Sequence, residues 1–272
     1  MERAWTPQSV ADEMKSAQDA CRQIEPFTGR LQGFDSASAY EVARLIHERR
    51  IAEGAVPVGR KIGFTNRTIW AEYGVYEPIW AYVYDRTVIR FPGSTGTAAL
   101  GRFADPRIEP EIVLHFKSPP PVTDDPAKIL GCVDWIAHGI EIVQSNFPDW
   151  KFKVADTVAD SSLHAALFVG EPHDVERLGP NLVSRLETFT ISLACDGVER
   201  DRGGGANVLG SPLAAVAHLI GVLAQQPDSK PIAAGELVTT GTLTRALTIR
   251  PGERWTTRFE GLELPGMSLS TN

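Results

Sequence analysis

The spacing of apolar residues divides this chain into a helical beginning and a strand-rich remainder. Apolar positions recur at helical spacing over residues 8–25 and 36–53, and Ser36 or Ser38 is expected to cap the second helix. From about residue 81, apolar runs with strand character alternate with turn residues. These runs are "YVYDRTVIRF", "EPEIVLHF", "TFTISLACDG", "ELVTTGTL", "ALTIRPG" and "RWTTRFEGL".

Four further elements are predicted between and after these segments. "GRKIGFT" is expected to form a short strand opened by Gly59, and "NRTIWAEYG" a short helix that ends at Gly74. Helical spacing also predicts helices at 128–138 and 211–226, the second with Ser211 as its N-cap. The pattern therefore predicts an α+β protein with a helical N-terminal part and a β-rich body.

Composition and charge exclude several classes of protein. The 272 residues are 43% hydrophobic and 22% charged, which suits one large globular domain with or without a small appendage. A net charge of -7 and the absence of a dense basic cluster argue against nucleic-acid binding. No signal peptide is recognisable, and no apolar stretch approaches the roughly 18 residues of a membrane span. Cys21, Cys132 and Cys195 are too far apart to indicate a disulfide framework or zinc site, so we expect a cytoplasmic protein without membrane contacts.

Two glutamates interrupt the apolar run "RIEPEIVLHF" at residues 107–116. Side chains two apart on a strand point to the same face, so Glu109 and Glu111 should lie close together. Like charges in a low-dielectric setting repel each other, and a basic side chain, a shared proton or a metal ion must compensate for this.

A third glutamate occurs in a similar setting. Glu141 lies in the apolar run "GIEIVQSNF", and 30 residues separate it from Glu111, enough for a helix and a returning strand. Three carboxylates in apolar runs predict a site for a hard divalent cation such as Mg²⁺ or Mn²⁺. The alternative is that each glutamate pairs with its own arginine or lysine.

Three other side chains are candidates for a catalytic site. Lys61, between a glycine turn and an apolar residue, could attract a substrate carboxylate or stabilise an enolate, or it could be a surface lysine. Asp156 and Asp160 could share a helix face and move protons, although aspartates in such places are often caps or turn residues. His164 follows them and is a weaker candidate.

Taken together, the ordered motifs resemble the 2-keto-4-pentenoate hydratase and 4-oxalocrotonate decarboxylase family, of the fumarylacetoacetase-type superfamily. The motifs are "VGRKIGFT", "EYGVYEPIW", "RIEPEI", "GIEIVQSNFPDW", "DTVADSS", "VLGSPL" and "GELVTTGTL". The resemblance implies a fumarylacetoacetase C-terminal-like mixed β-roll body at 76–272, a small helical or α/β cap at 1–75, and a homo-oligomer. It also implies an Mg²⁺ or Mn²⁺ site with the ligands Glu109, Glu111 and Glu141, and it assigns the family's lysine to Lys61 and its V-A-D aspartate to Asp160.

The chain departs from the family pattern in the expected substrate pocket. Family hydratases typically have an acid at the position of Ile79, whereas decarboxylases tend to have Pro-Ile-aromatic, as in this chain with Trp80. Ser161 stands where many members have Asn, and His164 follows it. The segment around Asp160 is closer to the hydratases.

The resemblance implies a metal-dependent lyase acting on a small 2-oxo or 2-hydroxydienoate acid, as in aromatic meta-cleavage catabolism. Hydration of a 2-hydroxypenta-2,4-dienoate is the first expectation, and 4-oxalocrotonate-type decarboxylation follows closely. In this family a hydratase and a decarboxylase can associate, so a non-catalytic stabilising partner is a further alternative. A carbon–carbon hydrolase would need a water-activating dyad that the sequence does not provide.

Overall fold

A computed structural model describes residues 5–91, 93–226 and 228–272. Within these ranges the helices are α1 (Pro7–Asp19), α2 (Phe27–Arg30), α3 (Ser36–Ala52), α4 (Trp70–Tyr73), α5 (Pro126–Leu130), α6 (Val154–Ala159), α7 (Leu182–Thr188) and α8 (Pro212–Gln225). The strands are β1 (Pro57–Gly63), β2 (Ile79–Tyr84), β3 (Val88–Arg90), β4 (Thr95–Ala98), β5 (Arg107–Phe116), β6 (Val133–Val143), β7 (His164–Val169), β8 (His173–Asp174), β9 (Thr190–Cys195), β10 (Val198–Gly204), β11 (Leu237–Thr239), β12 (Leu247–Thr248), β13 (Arg254–Glu260) and β14 (Ser268–Thr271). None of the described helices is long and apolar enough to cross a membrane.

Several predicted helix ends are confirmed, and one cap is corrected. Gly74 ends α4 in the left-handed conformation, and the Ser211 side chain accepts hydrogen bonds from the first turn of α8. The N-cap of α3 is Asp35, whose carboxylate accepts from the Ser38 backbone N–H at 2.9 Å. The prediction of Ser36 or Ser38 as the N-cap was therefore wrong, because Asp35, one residue before Ser36, caps the helix. The first helix is also shorter than predicted, since α1 ends at Asp19.

The predicted helix at 128–138 is wrong over most of its length. Only Pro126–Leu130 is helical, and residues from Val133 onward form β6. Most of the side chains of β6 are buried, so its apolar residues do not alternate with polar ones and cannot be told from a buried helix by spacing alone.

Two sheets form the body of the protein. The larger has the strand order β2-β1-β11-β5-β6-β7-β3, with β12 beside β5 and β8 beside β6, and it mixes parallel and antiparallel pairs. The smaller has the order β10-β9-β13-β14-β4. An apolar cluster that includes Ile108, Ile140, Leu193 and Trp255 joins the two sheets. The expected mixed β body is therefore present.

Helices α1 and α3 form a cap against α6 and one end of the larger sheet. Val10, Met14 and Val42 pack in one cluster with Phe147 and Ile79, so strand β2 belongs to the interface between cap and body. Strand β1, which lies in the region 1–75, pairs with β2 and β11 in the larger sheet. The domain boundary at residue 75 stays a prediction.

Strand β1 buries two adjacent cations on opposite faces. Lys61 faces the same side as Gly63, whereas Arg60 turns to the other side and is 1% exposed. The Arg60 guanidinium pairs with Glu236, donates to the Lys230 carbonyl at 3.0 Å and lies 5.0 Å from the centre of the Tyr82 ring. A buried arginine thus ties β1 to the segment before β11.

This ion pair gives a prediction for stability. Glu236→Gln leaves the buried Arg60 without its charge partner, so the free energy of unfolding should fall by about 3 kcal/mol in urea denaturation. The matched control is Glu263→Gln, because Glu263 pairs with Arg185 through a carboxylate whose side chain is 77% exposed. The control should change the free energy by less than about 1 kcal/mol, and equal effects of the two variants would contradict the argument.

Candidate metal centre

The three predicted carboxylates come together in the larger sheet. Glu109 on β5 stands directly opposite Glu141 on β6, and Glu111 follows two residues later on the same face. One oxygen of each carboxylate lies within 4.8 Å of those of the other two. Glu111 and Glu141 are fully buried and Glu109 is 9% exposed. We call these three residues the glutamate cluster.

Protein groups satisfy only part of the glutamate cluster. Glu111 Oε2 accepts from the Gly241 backbone N–H at 2.8 Å, and Glu141 Oε1 lies 2.7 Å from His164 Nδ1. Among the described residues, Glu111 Oε1 and Glu141 Oε2 have no hydrogen-bond partner, although Lys61 Nζ lies 3.3 Å from the latter. Buried carboxylate oxygens without donors are the ligand set that a hard divalent cation requires, so the residues fit Mg²⁺ or Mn²⁺.

The pKa values of the three glutamates reflect their burial and their mutual repulsion. Burial raises the pKa of Glu109 to about 7 and that of Glu111 well above its usual range, and repulsion from Glu141 adds to both. Burial also acts to raise the pKa of Glu141, but Lys61 and His164 outweigh it and the net direction is downward. Without a cation, burial and mutual repulsion therefore favour protons on Glu109 and Glu111, whereas Glu141 stays ionised.

Lys61 brings its ammonium to the edge of the glutamate cluster. The side chain is buried, and Nζ donates to the Ser162 backbone carbonyl at 2.9 Å. Burial lowers the pKa of Lys61, but attraction to the three glutamates outweighs this and the pKa is raised overall, so the ammonium stays charged. One lysine cannot neutralise three carboxylates, which disagrees with the alternative of separate ion pairs.

A cavity lies beside Lys61 and Glu109, with an empty volume of about 420 Å³. We call it the metal-side cavity. Its polar wall includes Ser162 and Thr242 in addition to the two charged residues. Its other side chains are apolar: Phe64, Ile69, Val143, Trp150, Leu163 and Ala246. A small acid in this cavity would meet Lys61 and Glu109 among mostly apolar side chains.

The structure separates the two neighbouring pocket candidates on β2. Ile79 faces the same side as Lys61, because a Cβ placed on Gly63 would lie 3.1 Å from Ile79 Cγ1 and 3.5 Å from Lys61 Nζ. Trp80 points to the opposite face, where its Nε1 donates to Gln226 Oε1 at 3.1 Å. Trp80 lines another cavity, so the geometry does not place it in the pocket predicted for it.

The two aspartates and Ser161 face the helical cap. Asp156 accepts from the Thr28 N–H at 2.9 Å, from the Thr28 hydroxyl at 2.6 Å and from the Lys153 N–H at 2.9 Å, so its carboxylate fixes the starts of α2 and α6. This is the cap alternative, and the contacts give no support to catalysis by Asp156. Asp160 accepts from Gln18 Nε2 and from the Asn146 N–H, each at 3.1 Å. The Ser161 hydroxyl lies at 3.1 Å from the same Gln18 nitrogen.

Two backbone groups contribute to this site without a signal in the side-chain pattern. The Gly241 N–H and the Ser162 carbonyl hold Glu111 and Lys61, and a side-chain pattern does not reveal either. The signal available for Gly241 was the "TTGT" turn, where the backbone has a φ of 93° and an added Cβ would meet Thr65 Oγ1 at 1.9 Å. His164, expected in the substrate pocket, instead lies between Glu141 and the Thr87 hydroxyl, which is 2.8 Å from Nε2.

Asp160 provides a pH-dependent prediction. Burial raises the pKa of its carboxyl from 3.8 to about 7, so the folded protein holds a proton that the unfolded chain releases near pH 4. The free energy of unfolding should therefore fall as the pH rises from about 4 to about 7 and level off above that. Asp160→Asn should remove this part of the slope, a difference on the order of 4 kcal/mol across the interval.

Urea denaturation at several pH values measures the slope. Asp149→Asn is the matched control, because this aspartate is 73% exposed and its pair with Lys151 is a surface one. Parallel pH curves for the wild type and Asp160→Asn would show that Asp160 is ionised in the folded protein, contrary to the argument from burial.

Comparison with known proteins identifies relatives over nearly the whole chain. A 4-oxalocrotonate decarboxylase of Pseudomonas sp. is 32% identical over 90% of this chain and 91% of its own length. The 2-keto-4-pentenoate hydratase 2 of Dechloromonas aromatica (strain RCB) is 31% identical over 94% of both chains. No protein-family model matches the sequence.

Solved structures agree with these relatives. The 4-oxalocrotonate decarboxylase from Pseudomonas putida G7, complexed with magnesium and adipate, superposes with a TM-score of 0.87 at 27% identity and covers all of both chains. The fumarylpyruvate hydrolase from Pseudomonas aeruginosa shares the fold alone, with a TM-score of 0.58 at 15% identity over 79% of this chain and 89% of its own. The mixed β-roll with its N-terminal cap is thus confirmed, and the chain belongs to the family of 2-keto-4-pentenoate hydratases and 4-oxalocrotonate decarboxylases.

Proposed function

We propose that this protein is a divalent-metal-dependent lyase that acts on a small 2-oxo or 2-hydroxydienoate acid. One observation carries the proposal: three buried carboxylates converge within 4.8 Å, and one buried ammonium, Lys61, lies beside them. Glu109, Glu111 and Glu141 would hold the Mg²⁺ or Mn²⁺. The magnesium complex of the P. putida decarboxylase, a relative that aligns over the whole chain, supports this assignment.

The residues around the cavity suit chemistry that places negative charge on a 2-oxygen. When bound, the cation would supply a Lewis acid for that charge. Lys61 adds a second positive charge, and its hydrogen bond to the Ser162 carbonyl fixes the ammonium before substrate arrives. The apolar side chains Phe64, Val143 and Leu163 limit water and so strengthen these interactions.

The surroundings of Lys61 favour decarboxylation. In that reaction a carbon–carbon bond breaks, CO₂ leaves, and the released electron pair moves through the conjugated system to the 2-oxygen, where Lys61 can stabilise it. No base is needed to activate water. Ile79 is buried on the Lys61 face of the sheet, and an apolar side chain close to the leaving carboxylate would destabilise it more than it does neutral CO₂.

Hydration, the first expectation from the sequence, is the second candidate. Water would add to a conjugated alkene, which requires a group that can hold and release a proton near neutral pH. Asp160, with a pKa raised to about 7 by burial, has that property. Relatives of both activities are almost equally similar to this chain.

Turnover of two substrates decides between the two reactions. The purified protein with Mg²⁺ should release CO₂ from 4-oxalocrotonate faster than it hydrates 2-hydroxypenta-2,4-dienoate, when both are followed by ultraviolet absorbance and CO₂ by a coupled assay. Lys61→Met is the control for site-specific turnover. Hydration alone would reverse the order, and turnover of neither substrate together with no cation binding would favour the non-catalytic partner.

The glutamate cluster gives a prediction in which function and stability change in opposite directions. Glu111→Gln should weaken Mn²⁺ binding by at least about 100-fold in calorimetry. In metal-free protein at pH 8, the same variant should raise the free energy of unfolding by about 1–3 kcal/mol, because it removes a carboxyl whose ionisation is disfavoured by burial and by repulsion, while the amide oxygen can still accept from Gly241.

Glu176→Gln is the matched control, since this glutamate is exposed and distant in sequence from the cluster. It should leave both quantities unchanged. A Glu111→Gln variant that lost stability and still bound Mn²⁺ as the wild type does would show that the carboxylate is structural.

The proposal that this protein forms oligomers rests only on the family resemblance. We expect a homo-oligomer, with association to a partner enzyme of the same pathway as a further possibility for this chain. The exposed apolar residues Ile51, Tyr76 and Val198 do not by themselves define such a surface.

A further inference from the structure

A second cavity, which we call the arginine cavity, lies next to the metal-side cavity. Its empty volume is about 900 Å³, and Arg50, Arg86 and Arg102 contribute to its wall together with Tyr84. The arginines come from α3, from the turn after β2 and from the segment before β5. Three elements of the fold thus bring guanidinium groups to one concave surface.

The arginine cavity has no compensating acid in its wall, since none of its lining residues is an aspartate or glutamate. Within the described ranges, Arg86 and Arg102 form no ion pair; Arg86 Nη2 donates to the Glu53 backbone carbonyl at 2.9 Å. Arg50 is the exception, because it pairs with Asp19 and lies 3.8 Å from a Glu53 carboxylate oxygen. In a chain with a net charge of -7, two guanidinium groups without acidic partners on one concave surface are suited to an anion.

A short wall of backbone separates the two cavities. Ser161, Ser162 and Leu163 have φ values of 50°, 52° and 63°, a left-handed run that costs free energy for residues other than glycine. Ser162 and Leu163 line the metal-side cavity, whereas Ser161 and His164 line the arginine cavity. The arginine cavity is therefore a separate space from the one that contains Lys61.

We propose that the arginine cavity is a binding site for a small dianion, either a dicarboxylate or a phosphate. Planar guanidinium groups bind two-oxygen anions through paired hydrogen bonds, and the two that lack an ion pair, Arg86 and Arg102, match the charge of a dianion. The Tyr84 side chain and the Ser161 hydroxyl add polar groups to the same wall. The site needs no metal, so it does not rest on the proposed lyase activity.

Calorimetry on metal-free protein tests the site. After dialysis against a chelator and at fixed ionic strength, succinate or inorganic phosphate should bind at least about tenfold more tightly than acetate. The two dianions titrated separately distinguish a carboxylate ligand from a phosphate ligand. Arg86→Gln and Arg102→Gln both change arginines at exposed positions. Each should weaken binding of whichever dianion binds more tightly by about tenfold or more.

Two control variants show where the anion binds. Arg258→Gln changes an exposed arginine on β13, outside the arginine cavity, and should leave dianion binding unchanged. Lys61→Met should also leave it unchanged, because the ammonium faces the other cavity. Wild-type affinity in both Arg86→Gln and Arg102→Gln, or a loss of binding in Lys61→Met, would overturn the proposal. Neither result would affect the proposed metal-dependent activity, because no metal or turnover is involved.

Discussion

Mutual repulsion among three buried carboxylates governs the chemistry of this site. Glu109, Glu111 and Glu141 lie within 4.8 Å of one another in a setting with almost no solvent. The fold compensates for only part of this charge, through the ammonium of Lys61 and the N–H of Gly241. A scaffold would gain nothing from such an arrangement, whereas a divalent cation completes it.

The elements around the glutamate cluster have consistent roles once this constraint is recognised. The long β5–β6 pairing sets the register that brings Glu109 opposite Glu141, and β1 presents Lys61 from the other side. The left-handed run at 161–163 lets one short segment serve two cavities, and it gives Lys61 a backbone carbonyl to hold it. The strained backbone at 161–163 therefore helps to hold the Lys61 ammonium, in addition to making a turn.

The sequence was sufficient for features that depend on side-chain alternation or on ordered motifs. The two-residue spacing of Glu109 and Glu111 predicted their shared face, and the motifs predicted the fold family. Adjacent residues of a strand point to opposite faces, so Ile79 and Trp80 cannot line the same pocket. The family motif, which contains both residues, does not reveal this. The first part of the strand at Val133–Val143 was predicted as helix because burial on both faces removes the alternation. The backbone N–H of Gly241 and the backbone carbonyl of Ser162 leave no mark in a side-chain pattern.

Anomalous diffraction from a crystal grown with Mn²⁺ and pyruvate would show whether the three glutamates bind one cation. We expect a single strong anomalous peak about 2.1 Å from an oxygen of each of Glu109, Glu111 and Glu141, with the pyruvate carboxylate on the side of Lys61. A peak at another site, or carboxylates that stay paired with Lys61 and one another at saturating Mn²⁺, would contradict it.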